Sequence, residues 1–159
     1  GYETVGRSGE TLSDHWADGM RTLHGMHVHG FPNLLLMQPN QAANLISNIT
    51  HNFVEASVTI AAVVRHALDV GADTVDVGAD AEASWVSLLE GTTRGFLGSP
   101  ECTPGYYNNE GRPIGRRERL NGSGYPDGAA AFFRYIADWR TSGRFEGLQF
   151  STAARHPVG

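Results

Sequence analysis

The sequence predicts a mixed α/β fold that is locally mostly helical, with a few short strands and one long irregular loop. Three observations carry that reading. A broad apolar stripe at helical spacing follows Ser47, the run Leu34-Leu35-Leu36-Met37 precedes it, and residues 91–128 are crowded with glycine, proline and asparagine. At 159 residues and 40% hydrophobic, the chain can bury one modest core and is too short for two full domains.

Residues 11–18 read as a short helical turn, with Leu12 and Trp16 on one face and Gly19 placed to end it. Met26 and Val28 alternate with polar neighbours as a strand would. Phe31-Pro32-Asn33 makes a turn, and residues 34–37 read as a fully buried strand. The polar loop Gln38-Pro39-Asn40-Gln41-Ala42-Ala43-Asn44 then leads to the clearest helix, spanning about 47–70. Phe53, Ser57, Ile60, Val64 and Ala67 define its stripe, Val54, Val58, Ala61 and Leu68 widen it, Ser47 or Asn48 caps its start, and Gly71 stops it. A stripe this broad predicts burial between other elements. After an acidic link over 73–80, a second helix carries Trp85, Leu88 and Leu89 on one face. Residues 91–128 read as mostly loop, with a basic cluster at Arg112, Arg116, Arg117 and Arg119; irregular stretches of that length are usually functional or disordered. A third helix from about Ala129 presents Phe132, Ile136 and Trp139 and stops near Gly143. Leu148 and Phe150 alternate as a short final strand.

Composition narrows the chemistry. Twelve basic side chains face seventeen acidic ones for a formal charge of −5, and every basic one is arginine. A nucleic-acid binder would carry the opposite balance. The absence of lysine removes Schiff-base chemistry and the usual P-loop. No apolar run approaches a bilayer span and no secretion signal is visible, so neither a membrane span nor export is expected. Cys102 is the one cysteine, which excludes an internal disulfide and a cysteine-built zinc or iron–sulfur site and fits a reduced, cytoplasmic setting.

His24, His27 and His29 could offer three imidazoles to zinc or iron, yet a strand would point His24 away from the other two and no nearby carboxylate completes the set. Surface or hydrogen-bonded histidines are the preferred reading, with no metal expected. Asn48-Ile49-Thr50 matches a glycosylation acceptor by chance, there is no Gly-x-Ser-x-Gly elbow, and Gly122-Ser123-Gly124-Tyr125-Pro126-Asp127-Gly128 is one residue too long for a dinucleotide-binding turn. Two features weigh more. The order of strand, polar loop and helix start around Ser47 suits an electron-rich ligand atom. Tyr106, Tyr107, Asn108 and Asn109 have the composition of a loop that covers a ligand, although packing by either tyrosine explains them equally well.

Trp16-Ala17-Asp18-Gly19, Arg21-Thr22, Gly25 and His29-Gly30-Phe31-Pro32-Asn33-Leu34, followed by Gln41, Asn48, Thr50 and His51, resemble the C-terminal part of Baeyer–Villiger and related flavin-containing monooxygenases. Glu82-Ala83-Ser84-Trp85-Val86, the stretch Pro104-Gly105-Tyr106-Tyr107-Asn108-Asn109-Glu110-Gly111, Phe132-Phe133-Arg134 and Phe145-Glu146-Gly147-Leu148 extend the similarity nearly to the end. The resemblance implies a C-terminal fragment of a flavoprotein with two dinucleotide-binding domains. In it, residues 1–71 end the FAD domain and residues 72–159 form a helical and loop region that covers cofactor and substrate. It further implies an FAD- and NADPH-dependent enzyme that inserts one oxygen atom of O2 into a ketone through a flavin peroxide. The glycine-rich nucleotide turns and the catalytic arginine of such enzymes belong to the remainder of the chain, so no catalytic residue is expected here and the isolated fragment is expected to be inactive. Gln41, Ser47, Asn48, Ile49 and Thr50 would bind cofactor, while Ile46, Tyr106, Tyr107, Asn108 and Asn109 would face substrate or form the lid. Better-known members often carry a tryptophan where Tyr106-Tyr107 stand. An N- or S-oxygenating enzyme, a small metal enzyme using the three histidines, and a stand-alone binding module are the alternatives.

Overall fold

A computed structural model describes residues 2–45, 47–91 and 103–152. Helix α1, Leu12–His15, starts at Thr11, whose hydroxyl oxygen accepts from the Asp14 amide at 3.0 Å; the helix ends at Trp16, before Gly19. Helix α2 is Ile49–Asp69, β1 is Thr74–Val77 and α3 is Ala79–Glu90. A 3-10 segment, Tyr106–Gly111, and α4, Arg116–Asn121, break up the stretch that reads as loop in the sequence. Helix α5, Ala129–Thr141, and β2, Leu148–Ser151, complete the fold. The strands pair antiparallel, with Thr74 opposite Ser151 and Val77 opposite Leu148. β1 lies inside the acidic link, where the alternation Val75, Asp76, Val77 is the strand signal that the charge conceals.

Residues 34–37 do not form the expected buried strand. Leu34, Leu35 and Leu36 are half-buried, Met37 is 51% exposed, and the only pairing is an isolated bridge between Leu35 and His27. The reason is competition for partners. β1 pairs with β2 on one side, and on the other Asn33 occupies Val75, its amide donating to Val75 O at 2.8 Å and its side-chain oxygen accepting from Val75 N at 2.9 Å. Met26 and Val28 do not form the expected alternating strand: both are buried, so is His27 between them, and Met26 sits in a tight turn closed by hydrogen bonds both ways between Leu23 and His27.

α2 also turns a different face inward. Its buried residues are Asn52, Ala56, Thr59, Val63 and Ala67, whereas Phe53, Val54, Val58, Val64 and Leu68 are 39–71% exposed. Small residues face in because α5, which packs on α2, brings Phe132 and Ile136 to the contact, and a bulky helix face seats closely only on a small one. On α3 the buried set is Glu82, Trp85, Val86 and Leu89, with Leu88 exposed. α5 buries Phe132, Ile136 and Trp139 as its periodicity predicts.

One core runs through both halves of the sequence, joining Leu23, Met26, Ala56 and Val63 to Trp85, Leu89, Phe132, Ile136 and Trp139. A buried carboxylate ties the halves together as well. Glu82, 1% exposed, lies 3.2 Å from His15 Nε2 and accepts from Arg21 Nε at 3.3 Å and the His29 amide at 2.9 Å. Among the described residues, no helix is long and apolar enough to cross a membrane.

Candidate functional site

The loop before α2 ends in a rim of exposed residues on a buried polar scaffold. Asn48 caps the helix: its side-chain oxygen accepts from the Thr50 amide at 2.9 Å and the His51 amide at 3.3 Å, satisfying two of the donors that a helix start leaves free. Asn48, Ile49 and Thr50 are exposed and Ser47 is half-buried. Ser47 is spent inward, its hydroxyl donating to Asn44 O at 3.0 Å and accepting from Asn52 Nδ2 at 2.6 Å. What the rim presents outward is an apolar isoleucine between an asparagine and a threonine, at the positive end of a 21-residue helix. Ile46 lies outside the described residues.

Gln41 anchors that rim rather than joining it. It is fully buried with a left-handed backbone (φ 58°), and its side chain accepts from the Thr22 hydroxyl at 2.7 Å and donates to Met20 O at 2.6 Å. Its amide donates to Ser123 O at 2.8 Å, and its carbonyl accepts from Trp85 Nε1 at 3.0 Å. With both side-chain polar ends occupied inside the fold, its contribution is to fix the loop. Asn44, also left-handed and buried, donates to Gly122 O at 3.0 Å. Gly124 packs against it so tightly that a Cβ there would stand 2.5 Å from Asn44 Cβ. The sequence does not mark Asn44, Asn52 or Trp85 as parts of the site. Asn52 lies outside the stripe that the sequence marks, so no local signal picks it out.

The three histidines go to separate tasks. His24 packs edge-on against Trp85, Tyr135 and Trp139, with Nε2 2.8 Å from the Tyr135 hydroxyl. Burial, with His27 nearby, holds its pKa well below the usual imidazole value. Burial alone pulls His27 down to about 4. His29 Nδ1 bonds Val77 O at 2.5 Å. The described residues contain no group of histidine, cysteine and carboxylate side chains placed to hold a metal.

The 3-10 segment carries bonds within its own stretch of chain. Asn108 is buried; its side chain accepts from the Gly105 amide at 2.7 Å and donates to Thr103 O at 3.0 Å. Asn109 donates to Pro113 O at 3.0 Å and, with Glu110 and Gly111, forms a run of left-handed residues. The backbone of Tyr106 and Tyr107 lies in this segment.

No family model matches the chain. Individual relatives do. Pentalenolactone D synthase of Streptomyces exfoliatus is 38% identical over 150 residues, covering 94% of this chain and 25% of the relative. A Baeyer–Villiger monooxygenase of Streptomyces coelicolor is 44% identical over 138 residues, covering 85% of this chain and 22% of the relative. An FAD-binding monooxygenase of Hypomyces subiculosus is 35% identical over 150 residues, covering 94% and 24%. Among solved structures, polycyclic ketone monooxygenase from Thermothelomyces thermophila superposes with a TM-score of 0.75 at 27% identity, over 96% of this chain and 24% of that one. A steroid monooxygenase bound to NADP shares the fold with a TM-score of 0.76 at 22% identity, over 95% and 26%. The chain therefore spans about a quarter of the length of the proteins it matches.

Proposed function

We propose, from the chain's membership of the Baeyer–Villiger monooxygenase family, that it supplies the flavin-facing helix start and a covering loop to an FAD- and NADPH-dependent enzyme that oxygenates a ketone with O2. The observation that supports this reading is the α2 rim: outward-facing Asn48, Ile49 and Thr50 held by a scaffold whose own polar atoms are spent inward. Such a rim fits the edge of a flat ring that is apolar in part and hydrogen-bonding in part. Asn48, Ile49 and Thr50 would meet FAD, with Ser47 behind them, and Gln41 would act as a positioning residue. When bound, the flavin supplies the redox chemistry, with NADPH as the source of reducing equivalents. Asn48, Ile49 and Thr50 would set the ring's position, and the positive end of α2 would stabilise negative charge on it.

In the same reading, Ile46 faces the substrate and the segment from Tyr106 to Asn109 covers it. The family names of the relatives favour a ketone over a nitrogen or sulfur centre. A cytoplasmic setting and the absence of a nucleic-acid partner belong to the same proposal.

The test uses the complete polypeptide from the encoding reading frame. It should purify with FAD, oxidise NADPH faster when a cyclic ketone is added, and yield the lactone. Asn48→Ala should lower FAD retention and raise peroxide release per NADPH consumed. A complete polypeptide without FAD, or one that yields only sulfoxides or N-oxides, refutes the assignment.

A further inference from the structure

Trp85, Tyr125, Tyr135 and Trp139 gather with His24 into one aromatic cluster. Trp85, Tyr125 and Tyr135 lie nearly parallel, with interplanar angles of 22–24° and ring centroids 5.5–5.7 Å apart. His24 stands edge-on to Trp85 at 4.7 Å and to Trp139 at 4.9 Å. Packing alone accounts for rings at these distances. Two further features are not explained by packing. The stack holds only tryptophan and tyrosine, the side chains whose rings give up an electron most readily, and it runs from an indole that is 5% exposed to two half-buried phenols. One of those phenols also has a base: the Tyr135 hydroxyl lies 2.8 Å from His24 Nε2. Burial, with His27 nearby, holds His24 neutral, and its Nδ1 has no hydrogen-bond partner. In the tautomer protonated at Nδ1, Nε2 accepts the phenol's hydrogen. Among the described residues, Tyr125 has no such acceptor.

We infer that Trp85, Tyr135 and His24 form a radical relay, a second function beside oxygenation, which carries an oxidising hole out of the core to the half-buried Tyr135 phenol. A one-electron oxidant, of the class of radicals formed from hydrogen peroxide, takes an electron from the Trp85 indole. The Trp85 N–H donates to the Gln41 carbonyl at 3.0 Å, a base too weak to take its proton, so the hole moves on as charge instead of settling on the indole. Tyr135 then passes an electron to Trp85 while its hydroxyl proton goes to His24 Nε2. The phenol O–H bond breaks, an imidazole N–H bond forms, the indole is restored and a neutral tyrosyl radical remains. An oxidised phenol is a far stronger acid than imidazolium, so the proton moves even to a histidine of lowered basicity. A thiolate in solution supplies one electron to the half-buried ring and His24 returns the proton. In total the oxidant gains one electron, the thiolate loses one and the protein is unchanged. The relay stands on these rings alone; the proposed function adds only a source of peroxide.

Pulse radiolysis of azide solutions, which makes azidyl radicals, generates the hole in the complete polypeptide, and transient absorption follows the tryptophanyl band into the tyrosyl band. The transfer should be first order, independent of protein concentration, and about twofold slower in D2O because the proton moves with the electron. Tyr135→Phe keeps the stacked ring and removes the acid. It should slow the tyrosyl rise at least tenfold and raise oxidation products at Trp85, read by peptide mass spectrometry, at least threefold. Tyr125→Phe should leave the rate within twofold of the parent. A parental rate in Tyr135→Phe, a rate that grows with protein concentration, or no slowing in D2O overturns the relay. The last two are read on the parent, so they decide the matter whether or not Tyr135→Phe folds. A complete polypeptide that lacks FAD yet shows the transfer removes the flavin reading and upholds the relay; one that holds FAD and oxygenates ketones without the transfer does the reverse.

Discussion

Acid should destabilise this fold through His27 as the pH falls below about 7. The side chain is 2% exposed and its Nε2 has no hydrogen-bond partner, so a proton added there brings a charge with nothing to receive it. Its pKa falls from the usual 6.5 to about 4 in the folded state. Between those values the unfolded chain binds a proton that the folded chain refuses. The stability that depends on neutral His27 is therefore complete above about pH 7 and is lost as the pH falls towards 4. The full loss is about 3 kcal/mol, of which about 2 kcal/mol appears between pH 7.5 and 5. His24, depressed in the same direction by burial and by His27 itself, steepens the same fall. Urea titrations at half-unit steps across that range measure it directly, and His27→Met removes the His27 share. A flat profile from pH 7.5 to 5, or an unaltered slope in His27→Met, refutes the reasoning.

Gln41→Ala leaves the Thr22 hydroxyl and the Met20 carbonyl without their partner, and should cost about 2–4 kcal/mol by urea denaturation. Glu82→Gln removes the buried charge that faces His15, Arg21 and the His29 amide; a loss of about 2 kcal/mol is expected, seen as an earlier thermal midpoint. Gly124→Ala forces a methyl to within 2.5 Å of Asn44 Cβ and should shift the amide signals of residues 41–45 in NMR spectra while lowering stability by about 2 kcal/mol.

The sequence was most legible where one face decides a helix. Phe132, Ile136 and Trp139 are large, evenly spaced and buried, because α5 has a polar side to turn to water. α2 has apolar residues on both sides, and periodicity cannot say which of two apolar faces packs. The choice falls to size, a property of the partner helix that no local pattern contains. Residues 34–37 failed for a related reason. β1 pairs on one side with a segment more than seventy residues away, and on the other Asn33 takes both backbone groups of Val75, contacts that no local pattern contains. At the candidate site, Asn48 was legible as a cap because capping is local. The inward role of Gln41 was not, since its partners at Ser123 and Trp85 lie far along the chain.

Those distant partners have a kinetic consequence. The Gln41 amide closes on Ser123, the Ala42 carbonyl on the Tyr125 amide and the Gln41 carbonyl on Trp85, so the loop that carries the α2 rim is completed by contacts some 44 to 83 residues away in sequence. Such closures come late and slowly, because the chain between them must first be ordered. During synthesis, α2 leaves the ribosome well before Ser123 and Tyr125, and for that interval its capped start has no floor beneath it. The loop behind the rim is completed only once the residues that follow α4, Ser123 and Tyr125, have arrived.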